Sequence, residues 1–178
     1  VVSAIILLYP SYDQRFPDTK YKEGQAPALY QFLQKTSKDS LVASLSEEAN
    51  FVPYFGQRPV LVGREYALPF HQGYYSQFRQ RVTDLLQAQY SPSSENVKQF
   101  IQQYGIDYWL LDQEAFSPHY LSSNRWFQQF QPVVGEAQTR LEQGVTPAIA
   151  PIVPRCTVFS TERLILLDTV CVVTLASP

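Results

Sequence analysis

The sequence predicts an α/β fold: three layers, a mainly parallel sheet with helices on both faces, and a C-terminal antiparallel hairpin, Rossmann-like in outline. Three observations carry this. Apolar runs at 41–45, 59–63 and 106–111 alternate with amphipathic helical stretches, which suits parallel strands joined by crossovers. The later runs are continuous, as expected of strands covered on both faces. A chain of 178 residues with 45% hydrophobic content can bury one core without a disulfide or metal staple.

The elements follow in order. Residues 1–25 read as a connector or the end of a transmembrane helix, and 26–178 as a single α/β domain. The run VVSAIILLYP has two readings. It is a first core strand, rich in Val and Ile, or the last turns of a membrane helix with Tyr9 and Tyr12 at the interface. It is too short to span a bilayer alone. The chain starts at Val1 and contains no Met, which fits a processed product or a fragment of something longer.

Pro27 suits a first helical turn, and Leu29, Phe32, Leu33 and Thr36 share one face. Residues 41–45 form the first strand of the core. Ser46 caps a short helix with Glu47 and Glu48 in its first turn, ending near a left-handed Gly56. Pro59–Gly63 is the second strand. Phe78, Val82, Leu85 and Leu86 mark one helix, and Val97, Phe100, Ile101 and Tyr104 a second, ended by Gly105. Ile106–Leu111 is the third strand, with Asp112 at its carboxyl end. Ser122 or Ser123 caps a helix through Trp126, Phe127, Phe130, Val133 and Val134, kinked or split by Pro132. Helix continues over Glu136–Gln143 to Gly144. Strands Cys156–Ser160 and Leu164–Thr174 close the chain as a hairpin turned at Thr161-Glu162-Arg163.

Composition excludes several classes. The net charge is −2 and no basic excess exists, so nucleic acid is a poor partner. Charged residues are only 17% and aromatics 14%, against the signature of disorder. No Walker, dinucleotide-binding or nucleophile-elbow motif occurs. His71 and His119 have no Cys or carboxylate at metal-ligand spacing, and read as solvated loop histidines. No cofactor or metal is therefore expected. Cys156 and Cys171 sit about 10 Å out of register in the expected hairpin, too far for a disulfide, so two free thiols are expected.

Open α/β sheets place ligands at the carboxyl ends of their strands. Those ends offer Glu48, then Arg64 and Glu65, then Asp112. The adjoining loop adds His71, Tyr74 and Tyr75, with Arg79 in the following helix. Acids accept hydroxyl hydrogen bonds and rings stack on sugars, so this set is a candidate carbohydrate-facing surface. The plainer reading gives Glu47 and Glu48 to the helix dipole and the tyrosines to packing.

Four segments carry a family resemblance. They are Leu29-Tyr30-Gln31-Phe32-Leu33, Asp39-Ser40-Leu41-Val42-Ala43, Val52 to Val62 (VPYFGQRPVLV) and Tyr104 to Asp112 (YGIDYWLLD). Together they resemble the C-terminal domain of polytopic glycosyltransferase-C-type membrane proteins, of the dolichyl-phosphate-mannose kind, in bacteria. The Gln-rich, Lys-poor composition is similar to that of cyanobacterial members. The resemblance covers residues 27–112. It implies a soluble extracytoplasmic domain after the last membrane helix, with Val1–Leu8 as that helix's tail. Catalytic carboxylates of the family lie between membrane helices, so it supplies no catalytic residue here.

The leading expectation is thus a non-catalytic domain that binds or positions. Its partners would be the membrane portion of the same protein, and a glycan or lipid-linked sugar. A stand-alone enzyme acting on a sugar or phosphate ester through Glu48, Glu65, His71 and Asp112 is the second reading. A structural or oligomerising domain is the third.

Overall fold

The strand at the centre of the sheet is the run with the strongest apolar signal. In the computed structural model, which describes residues 23–175, β2 (Tyr108–Asp112) lies between β1 (Val42–Ser44) and β4 (Leu164–Asp168). The outer strand β3 (Thr157–Ser160) completes the order β1-β2-β4-β3. The β1–β2 pair is parallel, with Val42 opposite Tyr108. β4 runs antiparallel to both β2 and β3. The sheet is therefore mixed, which corrects the mainly parallel, Rossmann-like expectation. Pro59–Gly63 lies beside β1 as expected, but contributes only a parallel bridge between Val60 and Val42. Pro59 has no N–H to donate, and its carbonyl accepts from the Val42 amide instead. The hairpin also does not sit at the margin. Its apolar strand LILLD pairs along all of β2, where both faces are covered.

Strand alternation sends side chains to two cores. Val42, Leu110, Leu164 and Leu166 pack with Leu29 and Leu33 of α1 (Pro27–Leu33). Ala43, Trp109, Leu111 and Leu167 face a larger cluster. It contains Phe78, Val82, Leu85 and Leu86 of α2 (Gln72–Gln89) and Val97, Phe100 and Ile101 of α3 (Ser94–Tyr104). Gly105 follows α3 with φ 63°, the left-handed stop its position predicts.

The segment after β1 is a 3-10 turn, Glu47–Asn50, then a π turn, Val52–Gly56, rather than one short helix. Gln57, not Gly56, takes the left-handed conformation. The helix expected to begin at Ser122 or Ser123 ends there instead. Ser117 caps α4 (Pro118–Ser123), and α5 (Val133–Glu142) begins after Pro132. His119 accordingly lies in a helix, not a loop.

The C-terminal strand is shorter than the expected Leu164–Thr174. The chain leaves β4 at Asp168 and forms α7 (Thr169–Leu175). Cys156 is likewise outside β3, as the last residue of α6 (Val153–Cys156). A helix rises about 1.5 Å per residue where a strand rises about 3.3 Å, so Cys171 stays close to the sheet end. The two cysteines form a disulfide, with Cα atoms 5.5 Å apart. This corrects the free-thiol expectation. The expectations for Val1–Leu8 and the connector lie outside the described residues, apart from residues 23–25.

Candidate functional site: an acidic cleft at the carboxyl ends of β1 and β2

β1 and β2 are parallel, so their carboxyl ends open on the same side. The chain leaves β1 through Ser46, whose extended backbone and hydroxyl cap the following turn at the Glu48 amide, 3.3 Å away. The same hydroxyl donates to Oδ1 of Asp112 at 2.7 Å. Asp112 is the last residue of β2, and its Oδ2 accepts from the Tyr120 hydroxyl at 2.6 Å. Tyr120 is held by α4, where the Ser117 hydroxyl accepts from its backbone amide at 3.1 Å.

Glu48 is buried beside this group. Its Oε1 accepts from the Gln25 amide at 2.8 Å and from the Tyr30 hydroxyl. Burial raises the Tyr30 hydroxyl pKa, and the bond to Glu48 raises it further. Arg163, in the hairpin turn, donates to the Gln25 side chain. Gln25, Ser46, Glu48, Asp112, Tyr120 and Arg163 wall a cleft of about 700 Å3.

The cleft is strongly acidic. Glu23, Glu47, Glu48, Asp112, Glu114 and Glu162 line it, against Arg163. Such a field disfavours phosphate and other anions and suits a neutral, hydroxyl-rich or cationic guest. Burial raises the Asp112 pKa above its ordinary value of 3.8, and the Glu48 charge adds to this. The Tyr120 and Ser46 hydroxyls and the Arg163 charge pull it back down. Burial first, and the Asp112 charge next, push the Tyr120 hydroxyl well above the usual tyrosine range. Both Asp112 oxygens accept from hydroxyl donors, which ties the end of β2 to Ser46 and to α4. Among the described residues, no cluster of three or more His, Cys, Asp and Glu is arranged to hold a metal ion.

The eight residues singled out from the sequence do not converge. Glu48 and Asp112 share the cleft. Arg64 lies at its rim, 3.9 Å from Glu47. Glu65 is tied by its backbone amide to Asn50 at 3.0 Å, and His71 is exposed just before α2. Tyr74 donates its hydroxyl to the Tyr66 carbonyl at 2.8 Å. Tyr75 stacks on Phe78, and Arg79 lies over the Tyr75 and Phe130 rings while donating to the Gln129 carbonyl. None of Glu65, His71, Tyr74, Tyr75 and Arg79 lines the cleft. Sequence reading missed Tyr120, Gln25 and Arg163. Tyr120 was within reach, because Ser117-Pro118 is a helix-start signal that places it one turn in. Gln25 and Arg163 are 138 residues apart and carry no local signal.

No family model matches the chain, and no curated protein matches it in sequence. Its fold is similar to a solved structure, the C-terminal globular domain of an oligosaccharyltransferase from Archaeoglobus fulgidus. The superposition has a TM-score of 0.56 at 9% identity, covering 83% of this chain and 99% of that domain. At that identity the likeness concerns the fold: this chain is an α/β domain built like the globular C-terminal domain of an oligosaccharyltransferase.

Proposed function

We propose that the chain is a non-catalytic binding or positioning domain of a multi-spanning glycosyltransferase-like membrane protein, on the extracytoplasmic side. The observation that carries the reading is the fold likeness, which takes in nearly the whole of the neighbouring domain and not a fragment of it. The Cys156–Cys171 disulfide supports the extracytoplasmic side, because such bonds persist in oxidising compartments and are rare in the cytosol. The bound group would be a neutral glycan, or the sugar of a lipid-linked donor, in the cleft of Glu48, Asp112 and Tyr120. The acidic lining disfavours its phosphate end there.

Two measurements test this. In the first, alkaline phosphatase or green fluorescent protein is fused after Pro178 in the full reading frame and expressed in a bacterium. Active phosphatase and dark fluorescent protein are expected; the reverse pattern overturns the topology. In the second, the purified chain is assayed on a panel of glycosides and sugar phosphates, beside a Glu48→Gln, Asp112→Asn double variant. No turnover is expected. Turnover that the folded double variant loses would promote the enzyme reading.

A further inference from the structure

The described residues carry one concentration of exposed aromatic and aliphatic side chains, on two neighbouring loops and the first turn of α2. Tyr54 and Phe55 project from the π turn after β1, with Tyr54 73% exposed. Leu68, Phe70 and Tyr74 follow the 3-10 turn Arg64–Tyr66, with Phe70 90% exposed. The loops are pinned together through Asn50. Its side-chain oxygen accepts from the Glu65 amide, and its carbonyl accepts from the Tyr66 hydroxyl at 2.9 Å. Tyr74 in turn donates to the Tyr66 carbonyl. Tyr54 and Tyr74 both lie close enough to the Tyr66 hydroxyl to help burial raise its pKa. Gly63 lets this arrangement close, since a Cβ there would meet the Tyr66 ring at 2.8 Å. The apolar ridge is thus held in shape by polar contacts beneath it. Ordered exposed apolar surface of this kind marks an interaction site.

We propose that this ridge is where the domain rests on a lipid bilayer. The inference rests on the membrane-attached reading given above. Three observations select a bilayer as the occupant. First, Phe55, Leu68 and Phe70 offer no polar side-chain atom to a glycan hydroxyl. Tyr54 and Tyr74, with an apolar body and a polar tip, suit the headgroup boundary. Second, the chain comes into the described domain at the same end. Glu23 and Gln25 line the cleft beside Glu48, and the Tyr30 ring of α1 packs on Phe55 at 5.3 Å between centroids. The apolar run Val1–Leu8 precedes Glu23 by 14 residues, a tether of at most about 50 Å. Third, the ridge carries no basic cluster. Residues 51–77 hold no Lys, and of their two Arg, Arg58 is buried and Arg64 faces Glu47. Contact through the ridge itself would then be apolar, and the acidic cleft at the same end favours neutral over anionic lipid.

The test is flotation of the 178-residue chain with phosphatidylcholine vesicles. The wild type is compared with a Tyr54→Ser, Phe70→Ser double variant and with Ile6→Asp. Both ridge positions are exposed, so the double variant should keep its fold, checked by circular dichroism. The wild type should float, equally at about 0.1 and about 0.5 M salt. The double variant should lose about tenfold in partitioning. A Phe70→Trp chain should shift its added emission to the blue on vesicles and be quenched by brominated lipid. Unchanged partitioning of the double variant overturns the proposal, as does a wild type that does not float. If Ile6→Asp alone abolishes flotation while the double variant binds normally, the ridge proposal fails and the membrane-attached reading stands. Self-association without vesicles that the double variant abolishes would assign the ridge to a second copy and likewise overturn it.

Discussion

Arg58 is buried, with only 4% of its surface exposed, and has no carboxylate partner among the described salt bridges. Its guanidinium donates instead to the Gln57 carbonyl at 2.7 Å, the Gln34 carbonyl at 2.8 Å and the Thr36 hydroxyl at 3.1 Å. Gln34 and Thr36 follow the end of α1, where carbonyls lack helical partners and a cation is favoured. The side chain therefore ties α1 to the strand-like segment beside β1. Arg58→Met is expected to cost about 2–4 kcal/mol, as buried charge-assisted bonds are lost. A urea titration of the two proteins measures it. Asp112 gives a pH signature. Its folded pKa is raised, so the folded state holds a proton that the unfolded state has released. Stability then falls as pH rises from the ordinary value of 3.8 through the raised one. Asp112→Asn should flatten that slope, seen as urea midpoints that change less than wild type between about pH 4 and about pH 7. Equal slopes in the two proteins would show that Asp112 is not the group responsible.

At the scale of elements, the disulfide joins α6 to α7 across a 15-residue separation. A loop of that size predicts a loss of about 3 kcal/mol on Cys156→Ser. Unfolding the wild type without reductant should expose no thiol to labelling. The structure shows why sequence reading missed this bond. TVCVVT is β-branched and reads as strand, yet it forms α7. The deciding signal was Asp168, whose Oδ1 accepts from the Cys171 amide at 2.9 Å as a helix cap does. Thr169 adds a hydroxyl bond to the Asp107 carbonyl at 2.9 Å, which fixes where the turn begins. By contrast α2, α3 and β2 were legible, because each buries one long apolar pattern and Gly105 marks the join. The site was legible in part. Glu48 and Asp112 sit at strand ends, which periodicity locates. Arg163 reaches the cleft through the pairing of β4 with β2, and Gln25 through its amide bond to Glu48, tertiary contacts that no local pattern encodes.

At the scale of the whole molecule, β2 is the strand on which the rest depends. It pairs with β1 from far upstream and β4 from far downstream, and it carries Trp109 into the larger core. The indole N–H of Trp109 donates to Gln89 at 3.1 Å. Gln89 in turn donates to the Tyr90 hydroxyl at 3.1 Å, which donates to the Ala115 carbonyl. Gln89→Leu breaks this buried chain at its centre and should destabilise the protein by roughly 1–3 kcal/mol, measured by thermal unfolding. The bridge between Val60 and Val42 bears on how the molecule meets copies of itself. Pro59 and Leu61 already bond both backbone groups of Val42. Strand alternation then leaves Ser44 as the residue of β1 whose peptide groups face away from β2. At the opposite margin, β3 has a register shift between Thr157 and Phe159. A stray strand thus finds neither a straight ladder nor a long one to extend, and sheet-to-sheet growth into fibrils is discouraged at both margins while the native fold persists.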